Sequence, residues 1–291
     1  MEIKPSKRLL LEKEVWSDIS VLLSEELGVS NDVEVMTKDL QTKITSLFPS
    51  SLKKTDENGV GIIQNEFYYK LFECSFYVKF ICYNFKTKDD ANYYLNTYRE
   101  KYPVDSNSNF TDFSVTLNLY AVCGTLLNSS ASVISHELMH VYEYLKRGFM
   151  VQNPPRGAAG LYYRVIKSIH NGDVKKNDFV TAIYTSFNKE QVAFTNQYAH
   201  CLANSKNPSY EYQIFDPYNR LLIMKKVLNN FDDYKQYCED FKITEDWAYN
   251  FLENGYKTYL YKLSRVIYKY VVEVKEGTLR TRHNSGTIHI I

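Results

Sequence analysis

The residues of this sequence with the clearest chemistry are Ser135-His136-Glu137-Leu138-Met139-His140, an HExxH pattern. On a helix, positions i and i+4 sit one turn apart on one face, so the imidazoles of His136 and His140 can reach the same ion. Neutral imidazole suits zinc, and two ligands from one rigid helix fix half of a tetrahedral set. Glu137 lies about 100° further round the turn. From there its carboxylate reaches a metal-bound water rather than the metal, and can take the water's proton as general base.

The helix that must hold these residues follows Gly124 and the Ser-rich stretch Asn128–Ala131, and runs to about Arg147 before Gly148. Ile134, Leu138, Val141 and Leu145 form an apolar stripe opposite His136, His140 and Glu143, so one face can be buried while the other lines a cleft. Before it lies the cleanest strand in the chain. Phe113, Val115, Leu117, Leu119 and Ala121 alternate with Ser114, Thr116, Asn118 and Tyr120, a period of two. Two earlier strands are predicted over Gly61–Leu71 and Ser75–Phe85, and a helix over Lys88–Tyr102. Residues 7–27 read as an amphipathic helix, and a second helix starts near Ser30-Asn31 and closes before Pro49. After the HExxH helix the pattern is helical at 157–169, 177–204, 211–229, 231–241 and 244–275. Strands and helix first, many helices later, is the order of an α+β fold.

The 291 residues carry 35 Lys+Arg against 34 Asp+Glu, a formal charge of +1, which argues against a nucleic-acid partner. No stretch is long and apolar enough to suggest a membrane span, and the N-terminus lacks the apolar core of a signal peptide. The five cysteines are odd in number and contain no CxxC spacing, so reduced thiols and a cytoplasmic location are expected. Lysine pairs such as Lys175-Lys176 and Lys225-Lys226 read as solvated faces, and His283 and His289 as bystanders.

Val133-Ile134-Ser135-His136-Glu137-Leu138-Met139-His140-Val141-Tyr142 resembles the extended signature of zincin metallopeptidases over about 30 to 40 residues around the motif. The resemblance implies a zincin-like α+β domain: a small mixed sheet, an edge strand before the HExxH helix, and a mainly helical C-terminal half. It implies one zinc ion per chain, with His136 and His140 as ligands and Glu137 as base and proton shuttle. It also implies a peptide docked in extended form on the edge strand, here Phe113–Ala121. On this view residues 1–58 are an N-terminal helical segment and 59–291 the metallopeptidase domain, with sheet and active-site helix at 59–150 and a helical subdomain at 151–291. Three roles are open to the N-terminal helices: covering the cleft, regulating it, or packing on the sheet.

Catalytic zinc usually takes three protein ligands and a water. The spacing HExxHxxGxxH fails here, so the resemblance is to the gluzincin type, whose third ligand is a Glu on a later helix. Glu190 in Asn188-Lys189-Glu190-Gln191-Val192-Ala193-Phe194 is the choice, 50 residues beyond His140, with small Ala193 leaving room beside the two-histidine helix. Glu143, His170 and His200 are rivals, and Glu143 is alternatively an outer partner of the site. Gluzincins often carry an acidic residue four after the ligand Glu; Phe194 stands there instead, with Gln197 as a substitute. Tyr198, His200 and Tyr212 are candidates for the donor to a developing oxyanion.

The expected function is hydrolysis of peptide bonds by a metal-activated water, with a peptide or protein substrate and no nucleic-acid or membrane partner. Two rivals stand beside it. One is a non-catalytic interaction or assembly protein, such as a phage or mobile-element accessory, that retains the scaffold. The other is zinc-dependent hydrolysis of a non-peptide amide.

Overall fold

The computed structural model describes residues 31–48, 55–72, 74–98, 100–103, 106–109, 114–147, 158–168 and 173–272. The helix expected over 7–27, together with Phe113, His170, His283 and His289, lies outside them.

Helix α1 spans Asn31–Ser46. Its Val33, Met36, Leu40 and Ile44 recur at helical spacing and are all buried. Asp32 and Glu34 in the first turn and Lys43 in the last match the helix dipole. Strands β1 (Gly61–Leu71) and β2 (Cys74–Phe85) form an antiparallel hairpin in which Leu71 faces Cys74. Helix α2 (Lys88–Thr97) starts with a capping box between Thr87 and Asp90. It ends well short of the expected Tyr102. The Tyr102 ring is drawn into an aromatic cluster against Tyr83 and Phe85, with centroids 5.1 and 5.8 Å away, and its hydroxyl donates to Asp56 at 2.6 Å.

Strand β3 (Asn107–Asn109) is short, β4 covers Ser114–Val122, and β5 is Thr125–Leu126. The sheet order is β1-β2-β4-β3, with β5 also paired to β4. β2 and β4 run parallel and the other pairs antiparallel, so the sheet is mixed, as expected. The expectation of an edge strand directly before the HExxH helix does not hold. β4 is inside the sheet, and β3 forms that edge. Where β3 and β5 leave β4 uncovered, hydroxyls take over: Ser106 accepts from the Asn118 amide at 3.0 Å, and Ser130 accepts from the Tyr120 amide at 2.7 Å. A backbone donor buried without a partner would be costly, and the serines remove that cost.

The turn from β4 to β5 places Cys123 and Gly124 at φ of 50° and 78°, the left-handed pair that a tight hairpin needs. It delivers the chain to helix α3 (Asn128–Arg147), the HExxH helix. The Ser130 hydroxyl donates back to the Tyr120 carbonyl at 2.9 Å, stapling the first turn of α3 to β4.

The remainder is helical: α4 (Ala158–Ser168), α5 (Val174–Thr185), α6 (Asn188–Asn204), α7 (Pro208–Glu211), α8 (Asp216–Asn229) and α9 (Glu245–Ile267), which ends in a π turn at Tyr268–Val272. The helix expected over 177–204 is two helices. Ser186 and Phe187 break it, although neither is a glycine or proline. Gly255 of α9 lies against Ser186 so closely that a Cβ would sit 2.5 Å from the Ser186 Cβ. The corner thus packs directly against α9, and the Thr185 and Ser186 hydroxyls donate back to the Thr181 and Ala182 carbonyls at 2.7 and 2.8 Å. The segment 231–241 forms two 3-10 turns, Phe231–Asp233 and Lys235–Phe241, rather than an α-helix.

Three apolar clusters hold the molecule together. One joins the sheet, α1 and the stripe Ile134, Leu138 and Val141 of α3, and includes Ala193 of α6. Helix α1, which the sequence sets apart in residues 1–58, shares this core. The second unites α4 to α9 with the 3-10 turns, and the third fills the opposite face of the sheet around Tyr83, Phe85, Tyr102 and Tyr120. Among the described residues no helix is long and apolar enough to cross a membrane. The five cysteines are free thiols, with Cys82 and Cys238 buried.

Candidate metal centre

Helices α3 and α6 pack antiparallel, and buried hydrogen bonds fix their register. The Asn196 amide donates to the Ser135 hydroxyl at 2.7 Å and to its carbonyl at 3.2 Å, and Gln197 donates to the Ser132 hydroxyl at 3.1 Å. Ala193 presents no side chain beyond Cβ at the crossing and is fully buried. One end of this pairing brings Glu190 onto the two histidines.

The geometry there is compact. His136 Nε2 and His140 Nε2 lie 3.2 Å apart, and Glu190 Oε2 is 3.5 Å from the first and 3.4 Å from the second. Glu190 is fully buried, and His136 and Glu137 are nearly so. Glu190 Oε2 has no hydrogen-bond partner, while Oε1 accepts from the Tyr162 hydroxyl of α4 at 2.7 Å. His136, His140 and Glu190 thus form a group that can hold a metal ion. A cation with bonds of about 2.0–2.1 Å at tetrahedral angles keeps its ligands about 3.3–3.4 Å apart, which is the spacing found. The two-nitrogen, one-oxygen donor set and the orphaned buried oxygen both fit such an ion.

The electrostatics agree with a closed anionic site. Burial alone would raise the Glu190 carboxyl, but the imidazoles of His140 and His136 outweigh it and hold the group well below the usual carboxylate range. Glu190 also sits in the first turn of α6, where the helix dipole favours a negative charge. Burial lowers His140, and the charge of Glu190 more than reverses this, so its imidazole is raised. Burial pushes the Tyr162 and Tyr184 phenols up, aided by the charge of Glu190, so both remain proton donors. Burial lowers the Lys189 ammonium, against the pull of Glu190 and Glu137. Glu137 is within electrostatic range of His140, Tyr162, Tyr184 and Lys189. The carboxylate that the motif assigns as base therefore borders the same cluster.

The other candidates fall elsewhere. Glu143 is half-buried on α3 and is not part of the three-residue group. His200 is ten residues beyond Glu190, about 15 Å along the helix at a rise of about 1.5 Å per residue. Its Nδ1 is 2.9 Å from Glu34 Oε2, and Gln41 approaches its Nε2 at 3.4 Å, so it joins α6 to α1 instead. The Tyr198 hydroxyl donates to the Tyr212 carbonyl at 2.8 Å, and the Tyr212 hydroxyl accepts from Gln213 at 2.6 Å. Phe194 lays its ring against His136, 4.5 Å between centroids. Gln197, committed to Ser132, does not replace the missing acid, and His136 Nδ1 stays buried without a partner.

Sequence reasoning missed Tyr162, Tyr184 and Lys189. Lys189 sits beside the chosen ligand and was legible by position. The two phenols were not, because 26 tyrosines carry no mark that separates these two from the rest. Compared with known proteins, the chain matches no family model, and no curated protein or solved structure shows significant similarity to it.

Proposed function

We propose that this chain is a cytoplasmic zinc-dependent peptidase of gluzincin type, with His136, His140 and Glu190 as ligands and Glu137 as general base. The observation that carries this reading is the convergence of three donor atoms 3.2 to 3.5 Å apart, one of them a buried carboxylate oxygen with no hydrogen-bond partner. When bound, zinc supplies a Lewis acid for the scissile carbonyl and a water of lowered pKa. Glu137 would serve as the general base, holding a proton on a carboxylate oxygen and returning it to the leaving amine. Tyr184, a protonated phenol beside the cluster, is better placed than Tyr198 or His200 to donate to a developing oxyanion. The substrate, a peptide in extended form, would pair with the outer edge of β3 rather than with β4.

One observation favours a second reading, a non-catalytic interaction or assembly protein on the same scaffold. The strand before the metal helix has its open backbone groups occupied by Ser106 and Ser130, so a peptide has no free edge on β4 itself. Metal analysis and an unbiased peptide library separate the two. The peptidase reading predicts about one zinc per chain and cleavage that Glu137→Gln lowers by about 10²–10⁴-fold while most of the metal stays bound. Bound zinc without turnover supports the assembly reading. Full turnover by Glu137→Gln rules out the mechanism.

A further inference from the structure

The two oxygens of Glu190 are treated differently by the fold. Two groups approach Oε1, the Tyr162 hydroxyl at 2.7 Å and the Lys189 ammonium at 4.0 Å, and that ammonium also lies over the Tyr162 ring, 3.5 Å from its centroid. Oε2 accepts no hydrogen bond and faces the two imidazoles. We propose that Tyr162 is a positioning residue that makes Glu190 a one-oxygen metal ligand. It would hold Oε1 out of the coordination sphere and so keep the fourth position open. The inference rests on the metal site proposed above and specifies how that site is kept three-coordinate from the protein side.

The physical argument is one of competition. A carboxylate has two oxygens that can both bind a dication, and a site with both bound has its fourth position filled, so that a water held there becomes a fifth ligand. In a fully buried carboxylate no solvent is present to occupy the second oxygen, so a protein donor must do so. The phenol is suited to the task because its hydroxyl already donates to that oxygen at 2.7 Å. A cation over the ring face withdraws electron density from the ring, which strengthens the hydroxyl as a donor. The ring itself is fixed by packing: it stacks on Tyr184 with centroids 5.9 Å apart and meets Phe187 edge-on at 5.1 Å. Residues that orient a metal ligand typically change affinity by about 10–100-fold when removed.

The test uses the full-length protein loaded with Co(II) in place of zinc, because the intensity of its visible absorption reports coordination number. Tyr162→Phe keeps the ring and deletes only the donor. The expected result is a clear drop in visible absorption as the coordination number rises, together with a fall in Co(II) affinity of about 10–100-fold. Thermal melting of the metal-free variant shows whether it folds. If it does not, Lys189→Met gives the same readout, with a smaller change in the same direction. A wild-type spectrum in the folded variant overturns the proposal, even if affinity falls, since a purely structural role would leave the coordination number alone. Unchanged spectra in Lys189→Met, should Tyr162→Phe not fold, overturn it as well. Wild-type protein that binds neither Co(II) nor zinc sinks the metal site itself, a distinct outcome.

Discussion

Helix α6 has a histidine–carboxylate cluster near each end, and the two can be set side by side. At the N-terminal end Glu190 meets His136 and His140, three atoms that could bind a metal converge, and one carboxylate oxygen accepts no hydrogen bond. At the C-terminal end His200 meets Glu34 and Gln41, donor opposite acceptor: its Nδ1–H reaches the carboxylate, and the Gln41 amide reaches its Nε2. The residue types are nearly the same and the arrangement differs. At the Glu34 end the other carboxylate oxygen, Oε1, is also without a hydrogen bond but lies 3.1 Å from the Lys38 ammonium, so the charge is met from within the protein and the contact ties two helices together. A buried carboxylate oxygen that accepts no hydrogen bond is costly unless something positive lies beside it. The difference marks the Glu190 cluster as the one that could hold an ion and the Glu34 cluster as a structural clamp.

The contrast breaks most sharply at the carboxylates. If zinc binding on the order of 10 kcal/mol is shared among three protein ligands, each contributes about 3 kcal/mol, roughly two orders of magnitude in affinity. Glu190→Ala is expected to lose zinc to that degree in a competition titration, and Glu34→Ala to retain wild-type affinity. Equal zinc affinity in the two variants would erase the distinction between the ends of α6.

The second test concerns stability rather than occupancy. A ligand that binds only the folded state, at a hundred times its dissociation constant, stabilises by about 2.7 kcal/mol. Zinc should therefore raise the melting temperature by several degrees, and a chelator should reverse it. His200→Ala should lower the starting temperature yet show the same zinc increment. A smaller increment in His200→Ala would mean that the two clusters are coupled through α6.

What the sequence could reveal follows the same division. The face of α3 was readable because i, i+4 spacing and the stripe Ile134, Leu138 and Val141 are local properties of one helix. Glu190 was within reach because Ala193, one turn on, marks a crossing point, and Ala193 does lie in the core beside α3. The break at Ser186 was hidden because no glycine or proline marks it and the residue it packs against, Gly255, lies on another helix. The status of β4 was hidden for a similar reason: three residues of β3 and two serine hydroxyls close its edge, and none of them gives a strand signal. His200 looked like a ligand in sequence because its partners Glu34 and Gln41 come from a helix some 160 positions away. Residue type is local, but satisfaction is tertiary.

The smallest expected effect is the pH dependence of the clamp. The hydrogen bond from His200 is the main cause that holds Glu34 down to about 2, against the opposing effect of burial and with further help from Lys38. A carboxyl lowered in the folded state adds stability above its unfolded value, near 4.5, and that contribution fades as pH falls from there toward about 2. Glu34 is only partly sheltered from solvent, so after screening the contribution is about 1–2 kcal/mol. Glu34→Gln should thus lower stability by about that amount at neutral pH and by almost nothing near pH 2, flattening the acid limb of a urea-melt series. The Glu190 cluster offers the contrast, since protons there compete with the ion: in the presence of zinc its acid loss should shift with metal concentration, whereas the loss at Glu34 should not. A Glu34→Gln variant whose acid limb parallels the wild type would show that the α1–α6 contact contributes no charge-dependent stability, and the two ends of α6 would then differ in geometry alone.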